Sequence, residues 1–389
     1  MFNAERKTHM SKVNVMITGV GGGGVGEQIL KCLRMSSLEY NIIGCDMNKH
    51  SMGLSKVDKA YLVPSAAEPN YVDTILKICK QNNIQVLFHG SEPEMKALSR
   101  DRQFFVDEGI FIPFNPKDVI EKCMDKYLTM QFLQENGFAV QKYWEIKEEE
   151  DLHEIDIFPV VLKPSVGGGG SVNTFIVQNR EELELFGRYL LQIYNQFLAQ
   201  EYVGKVDDEY TVGVLHASTG KYINAIAVKK NILSGLSNKL RVANRTERAD
   251  LGDILAISSG VSQGEIGRFE EITKPCREIA KKLGCTAALN IQCRIHNGQM
   301  YVFEINPRIS GTSSLRAMVG YNEPDILIRE KILGEEIVPD FSYRSGYIAR
   351  GLLESYISYD FMERLKYDDS LTGGGRKVKA KYFILGDAA

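Results

Sequence analysis

The sequence predicts a doubly wound α/β unit followed by a mixed α+β region. Three observations carry this. Strand-like and helix-like segments alternate through the first hundred or so residues, the pattern of a parallel sheet with crossover helices. Pro113 and Pro116 then break the pattern. Further on, two apolar strands flank Asn297-Gly298, a hairpin signal that belongs to an antiparallel sheet.

The elements follow in order. Residues 13–18 (Val-Asn-Val-Met-Ile-Thr) read as a buried strand, Gly19–Gly26 as a glycine loop, and Glu27 to about Met35 as a helix. Asn41–Cys45 is a strand that ends at Asp46, and Lys59–Val63 is a short one. Tyr71–Gln81 has helical spacing, and Val86–His89 is a strand that leads into Gly90-Ser-Glu-Pro-Glu94. After the prolines, residues 117–136 look helical. Pro159–Lys163 is a strand, Gly167–Gly170 a glycine run, and Thr174–Val177 a strand leading into the helix Arg180–Tyr194. Phe197–Val203, Glu209–Leu215 and Tyr222–Val228 read as strands, Lys274–Leu283 as a helix, and Ala287–His296 with Met300–Ile305 as the hairpin. Tyr347–Leu353 reads as a strand and Gly373–Gly375 as a turn. There is no internal repeat.

Bulk properties narrow the function. A chain of 389 residues, 44% hydrophobic and 25% charged, is expected to form two or three globular domains. A net charge of -3 with no long basic tract gives no reason to expect nucleic acid, and the pairs Lys229-Lys230 and Lys281-Lys282 read as solvated surface. The seven cysteines form no Cys-x-x-Cys pair, which suits a reducing cytoplasmic setting without a zinc ribbon. No apolar run approaches the length of a membrane span. The polar residues 1–12 read as a disordered extension rather than a signal peptide.

Two glycine loops invite ligands. Gly21, Gly23 and Gly26 fit G-x-G-x-x-G between a strand and a helix, with Asp46 where a ribose-binding acid is expected. This keeps open an NAD(P)-dependent oxidoreductase; the alternative is a turn that packs tightly without a ligand. The second loop follows Lys163-Pro164-Ser165 and is not a P-loop, because no Gly-Lys-Ser/Thr closes it. A strand lysine beside glycines can neutralise phosphate oxygens while backbone N–H groups close over them. Lys126, in Asp125-Lys126, is a second candidate phosphate ligand.

The strongest chemical signal is Tyr301-Val-Phe-Glu-Ile-Asn-Pro-Arg308. Strand alternation puts Glu304 and Asn306 on one face, with Phe303 and Ile305 packing behind. Two hard oxygen donors at that spacing suit Mg²⁺. Pro307 stops the ladder, and Arg308 then points from the loop towards the same site, as a fork for a phosphoryl group or a carboxylate. Gln292 on the opposing strand comes opposite Glu304 only if the loop holds three residues, Asn297-Gly298-Gln299, because a two-residue turn sends it to the wrong face. The longer loop is therefore expected. Leu198-Ala-Gln-Glu-Tyr-Val203 can offer backbone groups to an adenine ring, and Glu201 and Glu209 are candidate ribose acceptors. Arg241, Arg245 and Arg248 can read an acidic substrate or sit in a salt-bridged exposed loop.

Taken together, Asp125-Lys126, Lys163-Pro-Ser with its glycine run, Gln200-Glu-Tyr-Val203 and Glu304-Ile-Asn-Pro-Arg308 resemble the ATP-grasp superfamily, in its carbamoyl-phosphate synthase large-subunit branch. The match covers residues 13 to 340, and the chain has room for one module. The resemblance implies a Rossmann-like preATP-grasp domain (12–116) and a two-part ATP-grasp fold. That fold has a linker and lid (117–200), a large subdomain with the metal hairpin (201–340) and a C-terminal segment (341–389) packing on the large subdomain. It implies that Lys126 and Lys163 hold phosphates, with Gly168, Gly169 and Gly170 closing over them. Gln200, Glu201, Tyr202 and Val203 would receive adenine, Glu209 ribose, and Gln292, Glu304 and Asn306 the Mg²⁺ (or Mn²⁺). Lys163 and Arg308 would serve catalysis. It further implies an ATP-dependent carboxylate-amine ligase acting on small molecules through an acyl-phosphate, a possible homodimer, with the first glycine loop and Glu92 near the acceptor substrate. A non-catalytic nucleotide-binding module is the other alternative; the intact Glu-x-Asn-x-Arg set speaks against it.

Overall fold

The computed structural model describes residues 12–167, 169–352 and 358–365. Two compact units meet in sequence at Ile112 and Pro113.

In the first unit, β1 (Val13–Ile17), α1 (Val25–Arg34), β2 (Tyr40–Asp46), β3 (Lys59–Leu62), α2 (Tyr71–Gln81), β4 (Val86–Phe88), α3 (Glu92–Arg100) and α4 (Arg102–Asp107) form a parallel sheet of order β3-β2-β1-β4 with crossover helices. Both faces of such a sheet are covered, so Val15, Met16 and Ile17 are wholly buried in succession. Ser91 caps α3 by accepting from the Glu94 N–H.

The second unit opens with α5 (Lys117–Met124) and α6 (Lys126–Glu135). The strands β5 (Tyr143–Ile146), β6 (Val160–Pro164), β7 (Phe175–Val177) and β8 (Phe197–Glu201) form an antiparallel sheet of order β5-β8-β6-β7. The helix α7 (Arg180–Leu191) packs on it through Leu183 and Leu190 against Leu162 and Phe197.

A larger antiparallel sheet follows, of order β15-β14-β9-β10-β13-β16. Its members are β9 (Glu209–His216), β10 (Tyr222–Lys230), β13 (Gly264–Gly267), β14 (Ala288–His296), β15 (Gln299–Asn306) and β16 (Gly346–Ile348). Between β10 and β13 runs a two-stranded ribbon, β11 (Asn238–Ala243) with β12 (Ile254–Ser258). The helices α8 (Glu270–Leu283), α9 (Ser313–Met318) and α10 (Glu323–Lys331) complete the unit. One face of the large sheet (Tyr210, Val212, Val214, Leu289, Ile291, Cys293) packs on Ile272, Cys276 and Ile279 of α8 and Met130 and Leu133 of α6.

Sequence periodicity did not reveal β5 or β11–β13. β11 alternates half-buried and exposed positions, too little burial for a clear apolar stripe, and β13 is a four-residue strand with a glycine at each end. In the C-terminal segment, β16 pairs with β13 in the large sheet, whereas α11 (Tyr359–Arg364) groups with the first unit. The expected strand to Leu353 stops at Ile348. The turn at Gly373–Gly375 and residues 1–11 lie outside the described residues.

His216, the last residue of β9, is buried, and its Nδ1 has no hydrogen-bond partner among the described residues. Burial, reinforced by the nearby Arg277, holds its imidazole down at about 4. The folded state therefore favours the neutral ring. This contribution to stability is complete above about 6.5, the unfolded value, and drains away as pH falls towards 4. We expect the melting temperature to drop across that window and the drop to be shallower in His216→Asn. Identical pH profiles for the two proteins would show that His216 carries none of it.

Candidate active site

The face of the large sheet opposite α6 and α8 carries polar side chains on its outer strands, and its strand register assembles a site in rows. One row runs Val228, Thr211, Gln292, Glu304; the next runs Ile226, Gly213, Asn290, Asn306. Arg294 stands opposite Glu209 at the end of β9, and Lys230 ends β10 beside them. Side chains on every second residue of four strands thus converge without any of them being close in sequence.

The hairpin is built differently from the sequence expectation. His296 pairs with Gln299, so the loop has two residues, and Asn297 (φ 50°) and Gly298 (φ 76°) are both left-handed. This is the tight turn that Asn-Gly favours. Gln292 nevertheless faces Glu304, because the register shifts by one residue between Gln292 and Cys293. Phe303 is the additional residue, a β-bulge that reverses the parity of the strand beyond it. Val302 and Ile305 consequently enter the core, and Phe303, expected behind the strand, lies half-buried outside that cluster. The bulge also turns the Phe303 carbonyl to accept from Lys163 Nζ at 2.9 Å.

Lys163, at the end of β6, reaches from the smaller sheet to the larger. Its ammonium donates to Gln200 Oε1 at 2.7 Å as well as to Phe303. Burial pulls it down to about 7, against the attraction of Glu304 and with the repulsion of Lys126. An arriving anion would restore its charge. Lys126 begins α6, where Asp125 caps the helix by accepting from the Tyr127 and Leu128 N–H groups, and the Lys126 N–H donates to the Ser165 carbonyl at 3.0 Å. The sequence pair Asp125-Lys126 is thus a helix start pinned to the segment after Lys163. Beyond it, Gly167 and Gly170 are left-handed, and a Cβ on either would meet open space. Conformation, not crowding, calls for glycine there. Gly169 begins a short helical turn; Gly168 lies outside the described residues.

Asn306 is buried, and its Oδ1 accepts from Arg308 Nη2 at 3.2 Å. Gln292 Nε2 donates to Glu304, and Gln292 Oε1 accepts from Lys230 Nζ at 2.8 Å. Sequence reasoning misses Lys230 and Arg294. Lys230, expected on the solvated surface, has a side chain only 2% exposed. The available signal was parity: along β10, Lys230 falls in phase with Ile226 and Val228, and Lys229 out of phase.

Glu209 is buried with both oxygens engaged, Oε1 by Lys230 at 2.9 Å and Oε2 by Arg294 at 2.8 Å. Burial raises its pKa, but the two cations outweigh it and hold the carboxyl down at about 2. In this state Glu209 is a structural counter-ion rather than an open ribose acceptor. The Arg294 guanidinium also lies over the Tyr202 ring at 4.4 Å.

In the 200–203 segment, Gln200 turns to Lys163. Tyr202 Oη is bonded to the Ala256 backbone, and the N–H groups of Glu201 and Tyr202 donate to Lys142 and Pro159. Main-chain recognition at Glu201 or Tyr202 would therefore come from their carbonyls; Val203 is buried beside them. Glu201 accepts from Arg248 at 3.2 Å, Arg248 also pairs with Asp250, and Arg245 pairs with Glu182. Two of the three arginines offered to an acidic substrate are thus in salt bridges, while Arg241 is exposed on β11.

The first glycine loop has a structural explanation. Asp46 Oδ2 accepts from the Gly21 N–H of this loop at 3.1 Å and Oδ1 from the Asn48 N–H of its own turn at 2.9 Å, so both carboxylate oxygens are engaged. A Cβ at Gly26 would lie 2.2 Å from the Gly19 carbonyl oxygen; this glycine is required for helix and strand to approach. Glu92 opens α3 beside that loop's sheet.

Among the described residues no group of three or more His, Cys, Asp or Glu could hold a metal. Likewise, no helix is long and apolar enough to cross a membrane.

Comparison with known proteins agrees with this architecture. Residues 15–112 match the model of the PylC-like N-terminal domain, and residues 254–346 that of the ATP-grasp in the biosynthetic pathway with Ter operon. The chain is thus similar, over these segments, to proteins of the ATP-grasp superfamily. It is similar to the C-terminal section of the Aquifex aeolicus carbamoyl phosphate synthase large chain, at 26% identity over 92% of this chain and 64% of that one. It is also similar to the Helicobacter pylori large chain, at 25% identity over 79% and 28%. The chain thus spans between about a quarter and two thirds of the length of these relatives. Its fold is that of Staphylococcus aureus N5-carboxyaminoimidazole synthetase complexed with ADP, with a TM-score of 0.61, 14% identity and coverage of 86% and 81%.

Proposed function

We propose that the chain is an ATP-dependent carboxylate-amine ligase. The observation that carries this reading is the row Gln292–Glu304 with Asn306 and Arg308, faced by Lys163 from the other sheet of the same unit. One carboxylate, amide oxygens and two or three cations together match a triphosphate and its metal, and residues 117–200 and 201–340 would be the two parts that enclose it.

Glu304 and Asn306 fit Mg²⁺, being hard oxygen donors one strand repeat apart. When bound there, Mg²⁺ would supply positive charge against the phosphate oxygens. Lys163 and Lys126 would hold the phosphates, the 167–170 loop would lie over them, and the 200–203 segment would receive the adenine. A substrate carboxylate oxygen attacks the γ-phosphorus; the bond to the ADP oxygen breaks, and Arg308 with Lys163 stabilises the charge spread over the equatorial oxygens. The amine nitrogen then attacks the acyl carbon, inorganic phosphate leaves with the bonding pair, and the nitrogen loses a proton. Exclusion of water protects the acyl-phosphate.

A screen of ADP release over carboxylates and amines tests the reading. Release that requires both a carboxylate and an amine is expected; none across a broad panel, with ATP unbound, would sink it. Parallel titrations should show ATP binding and no NADH binding, since Asp46 is spent on its own loop.

A further inference from the structure

We propose that Lys230 acts as a fixed cation beside the metal position, so that Gln292 is a positioning residue rather than a metal ligand. One divalent cation, held by Glu304 and Asn306, then accompanies the nucleotide. The inference rests on the nucleotide reading above and deepens it.

The three N–H donors of the Lys230 ammonium match three acceptors: Glu209 Oε1 at 2.9 Å, Ser258 Oγ at 2.9 Å and Gln292 Oε1 at 2.8 Å. On its other side, the Gln292 amide nitrogen donates to Glu304 Oε2. The orientation of an amide is set by its hydrogen-bond network, and here chemistry leaves one choice. An ammonium has no acceptor, and an ionised carboxylate has no donor. Turning the amide over would set NH₂ against NH₃⁺ and oxygen against carboxylate oxygen.

A cation shared between Gln292 and Glu304 needs that forbidden orientation, with the Gln292 oxygen facing Glu304. Lys230 cannot readily withdraw, because its stem is buried and its charge is tied to Glu209, which Arg294 in turn anchors at 2.8 Å. Lys230 and Arg294 together carry one positive charge more than Glu209 cancels. A second divalent ion on the Gln292 oxygen would sit against that surplus. Asn306 Oδ1 also accepts from a cation, Arg308 Nη2 at 3.2 Å, but that bond is longer and its donor is only half-buried, on the loop beyond the strand. The geometry thus divides the three amide and carboxylate donors into a metal pair and a lysine-bound amide that orients Glu304.

The test counts Mn²⁺ on the full chain saturated with AMP-PNP, by the electron paramagnetic resonance of free Mn²⁺. Wild type should bind one Mn²⁺ per bound nucleotide. Gln292→Met should keep that number, with affinity changed by less than about tenfold. Lys230→Met leaves Glu209 paired with Arg294 and frees the Gln292 oxygen, so a second Mn²⁺ should appear. Two Mn²⁺ per nucleotide in wild type, or loss of the bound Mn²⁺ in Gln292→Met, overturns this inference while leaving the ligase reading intact. Failure of AMP-PNP to bind at all overturns both. Should Lys230→Met not fold, the wild-type and Gln292→Met counts still decide.

Discussion

Glu304→Ala is expected to suppress ADP formation by on the order of 10²–10³-fold or more while leaving the chain folded. Glu304 is the one carboxylate in the row that faces Lys163, and it is half-buried at a strand end rather than in the core. Its removal takes away the proposed charged metal donor and the acceptor of Gln292 Nε2. The structural cost is one unsatisfied amide donor, about 1–3 kcal/mol, well below what unfolds a two-unit chain. Circular dichroism with a thermal melt verifies the fold, and coupled ADP release reads the activity. Turnover within a few-fold of wild type would remove Glu304, and with it the metal site, from the reaction. Glu304→Gln separates the two contributions: it keeps an oxygen for Gln292 but not the charge, and should be nearly as inactive as alanine.

Arg316→Met is expected to destabilise the protein by about 3–5 kcal/mol, the largest effect of a single substitution away from the site. Arg316 lies on α9 and is fully buried. Its Nη1 donates to both oxygens of Glu323, at 3.0 and 3.2 Å, and its Nη2 donates to Asn290 Oδ1 at 2.7 Å. Asn290 also accepts from Thr211 Oγ1 at 2.9 Å. The guanidinium fits because residue 213 has no side chain; a Cβ there would lie 2.3 Å from Nη1. Methionine would leave the Glu323 carboxylate buried without its counter-ion, and burial already pushes that carboxyl up even with Arg316 present. Arg316→Met/Glu323→Leu should recover most of the loss, since replacing both partners by apolar groups removes the orphaned charge. Chemical denaturation of the two variants measures this. Equal stabilities for single and double variants would mean that Glu323 is not the source of the penalty.

The legible parts of this protein were those whose signal is local. The run Val13–Ile17, the helix Tyr71–Gln81 and a hairpin centred on Asn297-Gly298 each follow from a few neighbouring residues, and all occur in the structure, whereas the single helix expected over 117–136 is broken at Asp125, which caps the second half. The pairing of Gln292 with Glu304 was anticipated for the wrong reason. Alternation alone demanded a three-residue loop, whereas the protein uses a tight turn and a bulge at Phe303. A bulge depends on which neighbours cover the strand, so no spacing rule announces it. Asp46 misled for a related reason. Its position fits a ribose acceptor, and only the closeness of Gly21 and Asn48 shows its oxygens to be taken.

By itself the sequence determined the alternation of strands and helices in the first sheet, the hairpin at Asn297-Gly298 and the donor types on its last strand, because propensity and periodicity act within a few residues. Tertiary structure decided that Lys230 and Arg294 turn inward to Glu209, that Lys163 reaches Phe303 across two sheets, and that Arg316 fills the space above Gly213. Those outcomes depend on which charges lose water together. Desolvation is a property of the packed assembly and cannot be assigned to any residue in isolation.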